Sequence, residues 1–384
     1  MRILYISNST SGGGAPASLF NLVEGLKDRH DIAVVLPEPK GDLYEKLRSA
    51  GVPVYAELSY VLDIWPKTIN PFRLITRFIR LWKNRTCVRK YVAQVIEDFR
   101  PEIVHTNVGP LAIAFSEAAR CGIPHVWHMR EYQDKDFGMT FFPSKDAFLR
   151  MIHSESNYNI AITEDVFRHW NLRKDRDVVV YNAVRADAAQ QQASPADHRY
   201  FLYVGRIEKT KGLMMLLKAF RMYRKDGGQN HLLVAGRPCG LYSVMCRFYA
   251  KLSGLGQYVH FLGQRRDVPA LMQSADAFVM TSVSEGFGLT TAEAMINRCF
   301  VIGRDSAGTK EQFDRGAAVT GSEIALRFKD IIQLKDCLEY VSDKNNSARI
   351  QSIIDNAEKV VLASYSAERY VGEIENYYKR ILGL

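Results

Sequence analysis

Two successive sets of short apolar runs, most of them followed by a helix-like segment, restrict this chain more than any other feature. The sets are divided by one polar, aperiodic stretch, Gln190-Gln-Gln-Ala-Ser-Pro-Ala-Asp197. In the first set the strand candidates are Arg2–Ser7, Ile32–Leu36, Val52–Ala56, Glu102–Thr106, Ile123–Trp127 and Asn159–Thr163. In the second they are Tyr200–Val204, His231–Ala235, Val259–Leu262, Ala277–Met280 and Phe300–Gly303. Apolar runs without polar alternation suit strands buried on both faces. Strands that alternate with helices suit a parallel sheet, because parallel neighbours need a crossover connection. The chain of 384 residues is long enough for two such domains, each with its own core. The expected fold is α/β, with two Rossmann-like domains over residues 1–183 and 184–365.

Composition removes several classes. With 47% hydrophobic and 24% charged residues, extended disorder is not expected. No apolar stretch approaches the roughly 20 residues of a membrane span, and Met1-Arg-Ile-Leu-Tyr-Ile-Ser7 is too short for a signal peptide, so a cytoplasmic protein is expected. Cysteines 87, 121, 239, 246, 299 and 337 form no CxxC pair, which fits free thiols better than a disulfide framework or structural zinc. The net charge of +9 implies an anionic partner, whether nucleic acid, phosphorylated substrate or lipid headgroup, and does not choose among them.

Chemistry concentrates in the loops that leave the strand candidates. After Ala277–Met280 comes Ser284-Glu285-Gly286-Phe287-Gly288, and Leu289–Asn297 is helix-like. A loop running from a parallel strand into a helix offers free N–H groups and the positive end of the helix dipole to an anion, and Gly286 and Gly288 allow close approach. Glu285 and Glu293, with residues 286–292 between them, can accept hydrogen bonds from sugar hydroxyls. For Glu293 an equally good purpose is structural, since Thr290-Thr-Ala-Glu293 fits a capping box.

Following Tyr200–Val204, Gly205-Arg206-Ile-Glu-Lys-Thr-Lys211-Gly212 places three cations ahead of a helix. They oppose its dipole unless an anion or Glu208 offsets them. Ser11-Gly-Gly13-Gly14-Ala-Pro16, before a helix at Pro16–Lys27, is either a ligand loop or a plain turn, and it lacks GxGxxG. His128 closes the run beginning at Ile123, where a histidine is structural or functional. His125 and His128 fall on opposite faces of a strand, which argues against a metal pair. Asp134-Lys-Asp136 and Asp175-Arg-Asp177 have the DxD form used to hold divalent ions, but neither follows a clear strand. Finally, Phe72, Leu74, Ile75, Phe78, Ile79 and Trp82 recur at helical spacing, with Arg73, Arg77, Arg80 and Lys83 on another face. Such a stripe is either core or a surface that lies on an anionic membrane.

In this order, from Arg2 to about Gln312, the motifs resemble those of retaining, nucleotide-sugar-dependent glycosyltransferases of the GT-B fold, whose signature is Glu, seven residues, Glu. The resemblance implies two domains facing across a cleft, with the last helix, within 366–384, packing back on the first domain. Arg206 and Lys211 would bind the donor diphosphate and stabilise charge on the leaving group. Glu285, with Gly286, Phe287, Gly288 and Leu289, would hold the donor sugar, and Glu293 the ribose. His128 would contact the sugar near the reacting carbon, although Met129 stands where the family commonly has Asp, with Glu131 the nearest substitute. Gly13 and Gly14 match the glycines that approach donor phosphates or acceptor. Asn182-Ala-Val-Arg185 stands where the family usually has Asn-Gly-Val-Asp and is given no catalytic role. Gly308-Thr-Lys-Glu311 matches a later glycine and acid element.

By the same resemblance no metal or separate cofactor is needed. The donor is a nucleotide-sugar, expected to be a UDP-sugar with GDP-sugar the alternative. The acceptor is a glycan or a lipid-linked one, which favours the membrane for the basic helix from Arg73 to Lys83 and a peripheral place on the inner face of the membrane. A nucleotide-sugar epimerase of similar architecture and a nucleic-acid-binding protein are the rivals. Nucleic acid is not the expected partner, because no aromatic and basic interleaving of a known binding module is present.

Overall fold

In the computed structural model, residues 1–11, 13–66, 68, 70–134, 140–184 and 198–384 are described. The stretch 190–197, Arg185 and Asp136 therefore lie outside the described residues. The chain divides into two compact units, Met1–Ala183 with Ala367–Leu384 (unit 1) and Val184–Ser366 (unit 2).

Unit 1 contains β1 (Arg2–Ile6), β2 (Asp31–Val35), β3 (Val54–Tyr55), β4 (Ile64–Trp65), β5 (Ile103–Thr106), β6 (His125–Met129), β7 (Thr140–Phe141), β8 (Asn157–Ala161) and β9 (Val178–Val179). Seven of these form a parallel sheet in the order β3-β2-β1-β5-β6-β8-β9, while β4 and β7 pair antiparallel as a separate ribbon. Unit 2 contains β10 (Tyr200–Val204), β11 (His231–Ala235), β12 (Val259–Gly263), β13 (Ala277–Met280), β14 (Val301–Arg304) and β15 (Leu326–Phe328). They form a parallel sheet in the order β12-β11-β10-β13-β14-β15. Both sheets are Rossmann-like, with helices covering buried strands such as β1, β5, β10 and β13.

The C-terminal helix, Ala367–Leu382, belongs to unit 1. Tyr370, Val371, Ile374, Tyr377 and Tyr378 share one helical face and are buried in the same core as Leu19, Leu22 and Leu26 of the helix Gly14–Leu26. Gly25 makes the close packing feasible, because a Cβ there would stand 2.6 Å from Val371 Cγ2. Each large side chain buried this way contributes about 1.5–3 kcal/mol. The two tyrosine hydroxyls are also satisfied. Tyr377 donates to the Asn159 carbonyl at 3.2 Å, and Tyr378 meets His105 Nδ1 at 2.5 Å.

Several boundaries differ from the expectation. β6 starts at His125 because Pro124 cannot donate to the ladder, so His128 lies inside the strand and not at its close. β8 begins at Asn157, two residues before the expected Asn159. The short strands β4, β7, β9 and β15 were not anticipated, since two or three residues carry no periodicity. The helix Pro71–Lys83 forms as expected, with Pro71 in its first turn and the Asn70 side chain accepting from Phe72 N at 3.0 Å and Arg73 N at 3.3 Å. Its apolar stripe is not core. Phe72, Ile75, Phe78, Ile79 and Trp82 are all more than half exposed, and Leu81 is the residue the helix buries.

Candidate functional site

In a parallel sheet, ligands bind beyond the carboxyl ends of the strands, where the strand order changes direction. In unit 2 that point lies between β10 and β13, and the loops leaving these two strands are laced together. Val283 N donates to the Thr210 carbonyl at 2.9 Å, and Thr281 Oγ1 donates to the Lys211 carbonyl at 2.9 Å. Gly212, at φ +71°, turns the chain into the helix Leu213–Lys225, and a Cβ there would stand 2.2 Å from the Thr281 carbonyl oxygen. This lacing brings Lys211 Nζ to Glu285 Oε1 at 2.6 Å, although the two residues are 74 positions apart. Both side chains are about one-fifth exposed, at 24% and 17%, which leaves the pair reachable by a ligand.

The loop Ser284–Gly288 is held from beneath by the helix Ala307–Thr320. Gly308 N donates to the Glu285 carbonyl at 2.9 Å, and Gln312 Nε2 donates to the carbonyls of Phe287 and, at 3.1 Å, Gly288. Ser306 Oγ donates to the Val283 carbonyl at 3.2 Å. Gln312 and Ser306 were not singled out in the sequence, where an ordinary polar residue on a helix carries no signal. Gly308 was noted only as the start of a glycine and acid element. The structure places it so close that a Cβ would be 2.5 Å from the Gly286 carbonyl oxygen.

Gly288, at φ +84°, is the N-cap of the helix Leu289–Ile296. This overturns the capping-box expectation. With Gly288 as the cap, Thr290 is already inside the helix and Glu293 lies beyond its first turn, too far along to reach back to the cap. Glu293 is half-buried there. The Phe287 ring is buried edge-on against Tyr365 at 5.1 Å, so its side chain is structural and only its backbone fronts the loop. Arg206 is half exposed and pairs with Glu208 at 3.0 Å, so Glu208 does offset part of the charge, as one sequence expectation had it.

In unit 1 the corresponding change of direction lies between β1 and β5. Gly13, at φ +93°, is the N-cap of the helix Gly14–Leu26, and Asn107, just past β5, donates to the Ala15 carbonyl at 3.0 Å. Beside them Arg130 is buried among neutral acceptors. Its guanidinium donates to the Asn107 carbonyl at 2.9 Å and side chain at 2.8 Å, the Asn182 side chain at 2.7 Å, Tyr370 Oη at 3.0 Å and His128 Nδ1 at 3.2 Å. Arginine has no acceptor, so this last bond puts the His128 proton on Nε2. Burial, then the Arg130 charge, hold His128 well below the usual imidazole range, so the ring is neutral. Asn182, given no catalytic role from the sequence, is a partner of this buried arginine.

His125 points the other way, to Thr106 Oγ1 at 2.8 Å and Asn157 Oδ1 at 2.7 Å, as alternate strand faces require. Asp177 is engaged by Asn159 N at 2.9 Å and Arg173 N at 2.8 Å. Among the described residues no group of three or more His, Cys, Asp or Glu side chains could hold a metal ion.

Comparison with known proteins places these loops in context. Residues 13–205 match the family described as "Glycosyl transferase 4-like domain", and residues 184–360 match "Glycosyl transferases group 1". A similar curated protein is the GDP-mannose:cellobiosyl-diphosphopolyprenol alpha-mannosyltransferase of Xanthomonas campestris, 27% identical over 53% of this chain and 53% of that protein. Another is the N,N'-diacetylbacillosaminyl-diphospho-undecaprenol alpha-1,3-N-acetylgalactosaminyltransferase of Campylobacter jejuni, 23% identical over 81% of this chain and 82% of that one. The chain spans about half the length of the Xanthomonas enzyme and of a Rhizobium leguminosarum core mannosyltransferase, at 53% and 50%. Among solved structures, a Rickettsia africae glycosyltransferase superposes with TM-score 0.78 at 16% identity, covering 99% of this chain and 98% of that one. Anabaena HepE in complex with UDP superposes at 0.77 and 18%, over 100% of both chains. With one family matched through unit 1 and the other through the strands of unit 2, the chain belongs to the glycosyltransferases of the GT4 type and has their GT-B fold.

Proposed function

We propose that the protein transfers a sugar from a nucleotide-sugar, with retention of anomeric configuration and without a metal, to a lipid-linked acceptor in cell-surface glycan synthesis. One observation carries the proposal: Lys211 and Glu285, from separate loops, meet at 2.6 Å where the strand order of unit 2 reverses. In the free protein the two charges satisfy each other. A diphosphate competes for Lys211, and a sugar hydroxyl that donates competes for Glu285, so one ligand carrying both groups replaces both halves of the pair. Arg206, on the same loop as Lys211, supplies a second cation for the charge that develops on the leaving diphosphate. Glu293 would take the ribose, and the Nε2–H of neutral His128 would donate to a sugar oxygen. Gly13 and Gly14 would let a ligand approach the backbone of unit 1.

The acceptor class is supported by the names of the similar proteins, which act on polyprenol- and undecaprenol-diphosphate sugars. Those names point to GDP-mannose for one relative, whereas the structural neighbour holds UDP. Both donors are therefore tested. A lipid-linked acceptor also gives purpose to the exposed stripe of the helix Pro71–Lys83, with Arg73, Arg80 and Lys83 each contributing about 1 kcal/mol at an anionic surface. Arg77 is not among them, because it donates to the carbonyls of Ile64 at 2.9 Å and Leu62 at 2.6 Å. Among the described residues no helix is long and apolar enough to cross a membrane, so a surface contact is the mode proposed.

The test is a thermal-shift panel of UDP-glucose, UDP-N-acetylgalactosamine, GDP-mannose and ADP-glucose, followed by transfer to a polyprenyl-diphosphate sugar. One donor at 100 times its dissociation constant should add about 2.7 kcal/mol of stability. Lys211→Ala and Glu285→Ala should each nearly abolish transfer while remaining folded. Wild-type turnover by both variants would remove the assignment.

A further inference from the structure

The helix Gly240–Leu252 in unit 2 is amphipathic in an unusual sense, because its more apolar side faces outward. Leu241, Val244, Met245, Phe248 and Leu252 are exposed by 74%, 59%, 53%, 62% and 70%. At 3.6 residues per turn they fall within one stripe about 100° wide. The inward face is carried by Tyr242, Ser243, Cys246, Tyr249 and Ala250, with the Tyr242 hydroxyl accepting from Met214 N at 2.9 Å. Arg247 and Lys251 run along one flank of the stripe, and the Arg247 guanidinium lies 4.5 Å over the Phe261 ring.

Charge along the segment that carries this stripe is one-sided. Residues 227–266 contain no Asp or Glu, although at the chain's average of 42 acids in 384 residues a segment of this length would carry about four. The same segment holds Arg237, Arg247, Lys251, Arg265 and Arg266, of which Arg265 is tied to Asp267. The exposed stripe of Pro71–Lys83 in unit 1 has the same setting, since residues 64–96 also contain no acid. Two separate helices therefore join an outward apolar stripe to a stretch purged of negative charge.

We propose that the helix Gly240–Leu252 is a second membrane-docking surface, which lays its stripe into the interface of an anionic lipid bilayer while Arg247 and Lys251 meet the headgroups. The apolar residues displace water at the acyl boundary, and the absence of acids removes the repulsion that would otherwise oppose approach. Self-association fits less well. In a two-fold pairing of stripe on stripe, the flanking cations of both copies would be brought together with no acid from residues 227–266 to offset them.

The helix is also wired to the candidate site. Ile207 N donates to the Arg237 carbonyl at 3.0 Å, and Gly205 N donates to the Ala235 carbonyl at 3.0 Å, so the segment that leads into the helix is bonded to the loop carrying Arg206. Docking would thus steady the donor loop at the surface where a lipid-linked acceptor resides. The inference rests on the proposed function for that purpose only; lipid binding is measured without any transfer step.

The experiment is cosedimentation of the full chain with vesicles of phosphatidylcholine, with and without phosphatidylglycerol. It uses L241S/F248S/L252S and R247Q/K251Q, each made in the wild type and in an F72S/W82S background. The apolar triple variant should lower the partition coefficient on phosphatidylglycerol vesicles at least about tenfold, which corresponds to about 1.4 kcal/mol. It should do so most visibly in the F72S/W82S background, with unfolding midpoint and nucleotide-sugar binding unchanged. The charge variant should lose most of the preference for phosphatidylglycerol and its sensitivity to salt. Partitioning equal to the parent in both backgrounds overturns the proposal. So does a wild-type dimer that the triple variant converts to monomer without loss of lipid binding, which would make the stripe an interface between copies. Failure to bind any nucleotide-sugar, with lipid binding intact, would instead count against the transferase reading alone.

Discussion

Gly308→Ala tests the candidate site without touching any charged side chain. The new Cβ would stand 2.5 Å from the Gly286 carbonyl oxygen, 2.7 Å from that of Glu285 and 2.9 Å from the Gly286 carbonyl carbon, all of them backbone. Ordinary contact needs about 3.4 Å or more, so the loop or the helix must shift by roughly 0.7–0.9 Å, at an overpacking cost of about 1–3 kcal/mol. Against this, alanine is the better helix former by about 0.5–1 kcal/mol, and Gly308 lies in the first turn of Ala307–Thr320. Steric cost and helix propensity thus have opposite signs. If the loop is as tightly seated as its bonds to Gly308, Ser306 and Gln312 indicate, the steric cost wins and the unfolding midpoint of unit 2 should fall by up to roughly 10 °C. Because the moving segment carries Glu285, transfer should fall by up to about 100-fold, the effect of misplacing a site by about 1 Å. Calorimetry and donor titration read the two effects. Gly256→Ala is the control, since a Cβ there meets nothing within 4 Å. A Gly308→Ala protein that is more stable than wild type and equally active would refute the close seating of the loop.

Two further predictions concern unit 1. His125 is held down to about 4 by burial, and burial likewise lowers His105 and His128, so all three are neutral in the fold. Unfolded histidine titrates near 6.5, so stability should be constant above that pH and fall as the pH drops from about 6.5 towards 4. His125 alone accounts for about 3 kcal/mol of the fall. Urea unfolding of wild type and His125→Gln at pH 7.5 and 5 checks it, and an equal loss in both proteins would contradict the assignment. Arg130→Met should cost on the order of 3 kcal/mol, because it strands the buried Asn107 side-chain oxygen and leaves that of Asn182 only the long 3.4 Å bond from Ser18 Oγ. Denaturation midpoints that do not move would show that these acceptors find other donors.

The parallel sheets were legible because their strands are buried on both faces and read as apolar runs; Tyr200–Val204, His231–Ala235 and Ala277–Met280 have the boundaries expected of them. Convergence of Lys211 on Glu285 was not readable from the residues themselves, since it follows from β10 and β13 being neighbours, which is a property of strand order. Thr290 to Glu293 misled because a capping box is a spacing, and the glycine before it starts the helix earlier. Periodicity also cannot say which side of a helix is wet. The stripe of Phe72 and Trp82 has the repeat of a core face yet is exposed, and in Gly240–Leu252 tyrosine, serine and cysteine lie inward while leucine and phenylalanine do not. Arg130 drew no attention because its partners come from the residue after β5, the stretch after β9, and the final helix.

That final helix reorders how the molecule must be built. Since Ala367–Leu384 completes unit 1, residues 1–183 leave the ribosome before unit 2 but are completed after it, and the whole of Val184–Ser366 can be folded in between. Until then Leu19, Leu22 and Leu26 lack the tyrosines that cover them. A nascent chain therefore carries an uncapped hydrophobic surface on unit 1 until Tyr378 has been made, and truncation just after Ser366 would injure unit 1 while leaving the residues of unit 2 intact.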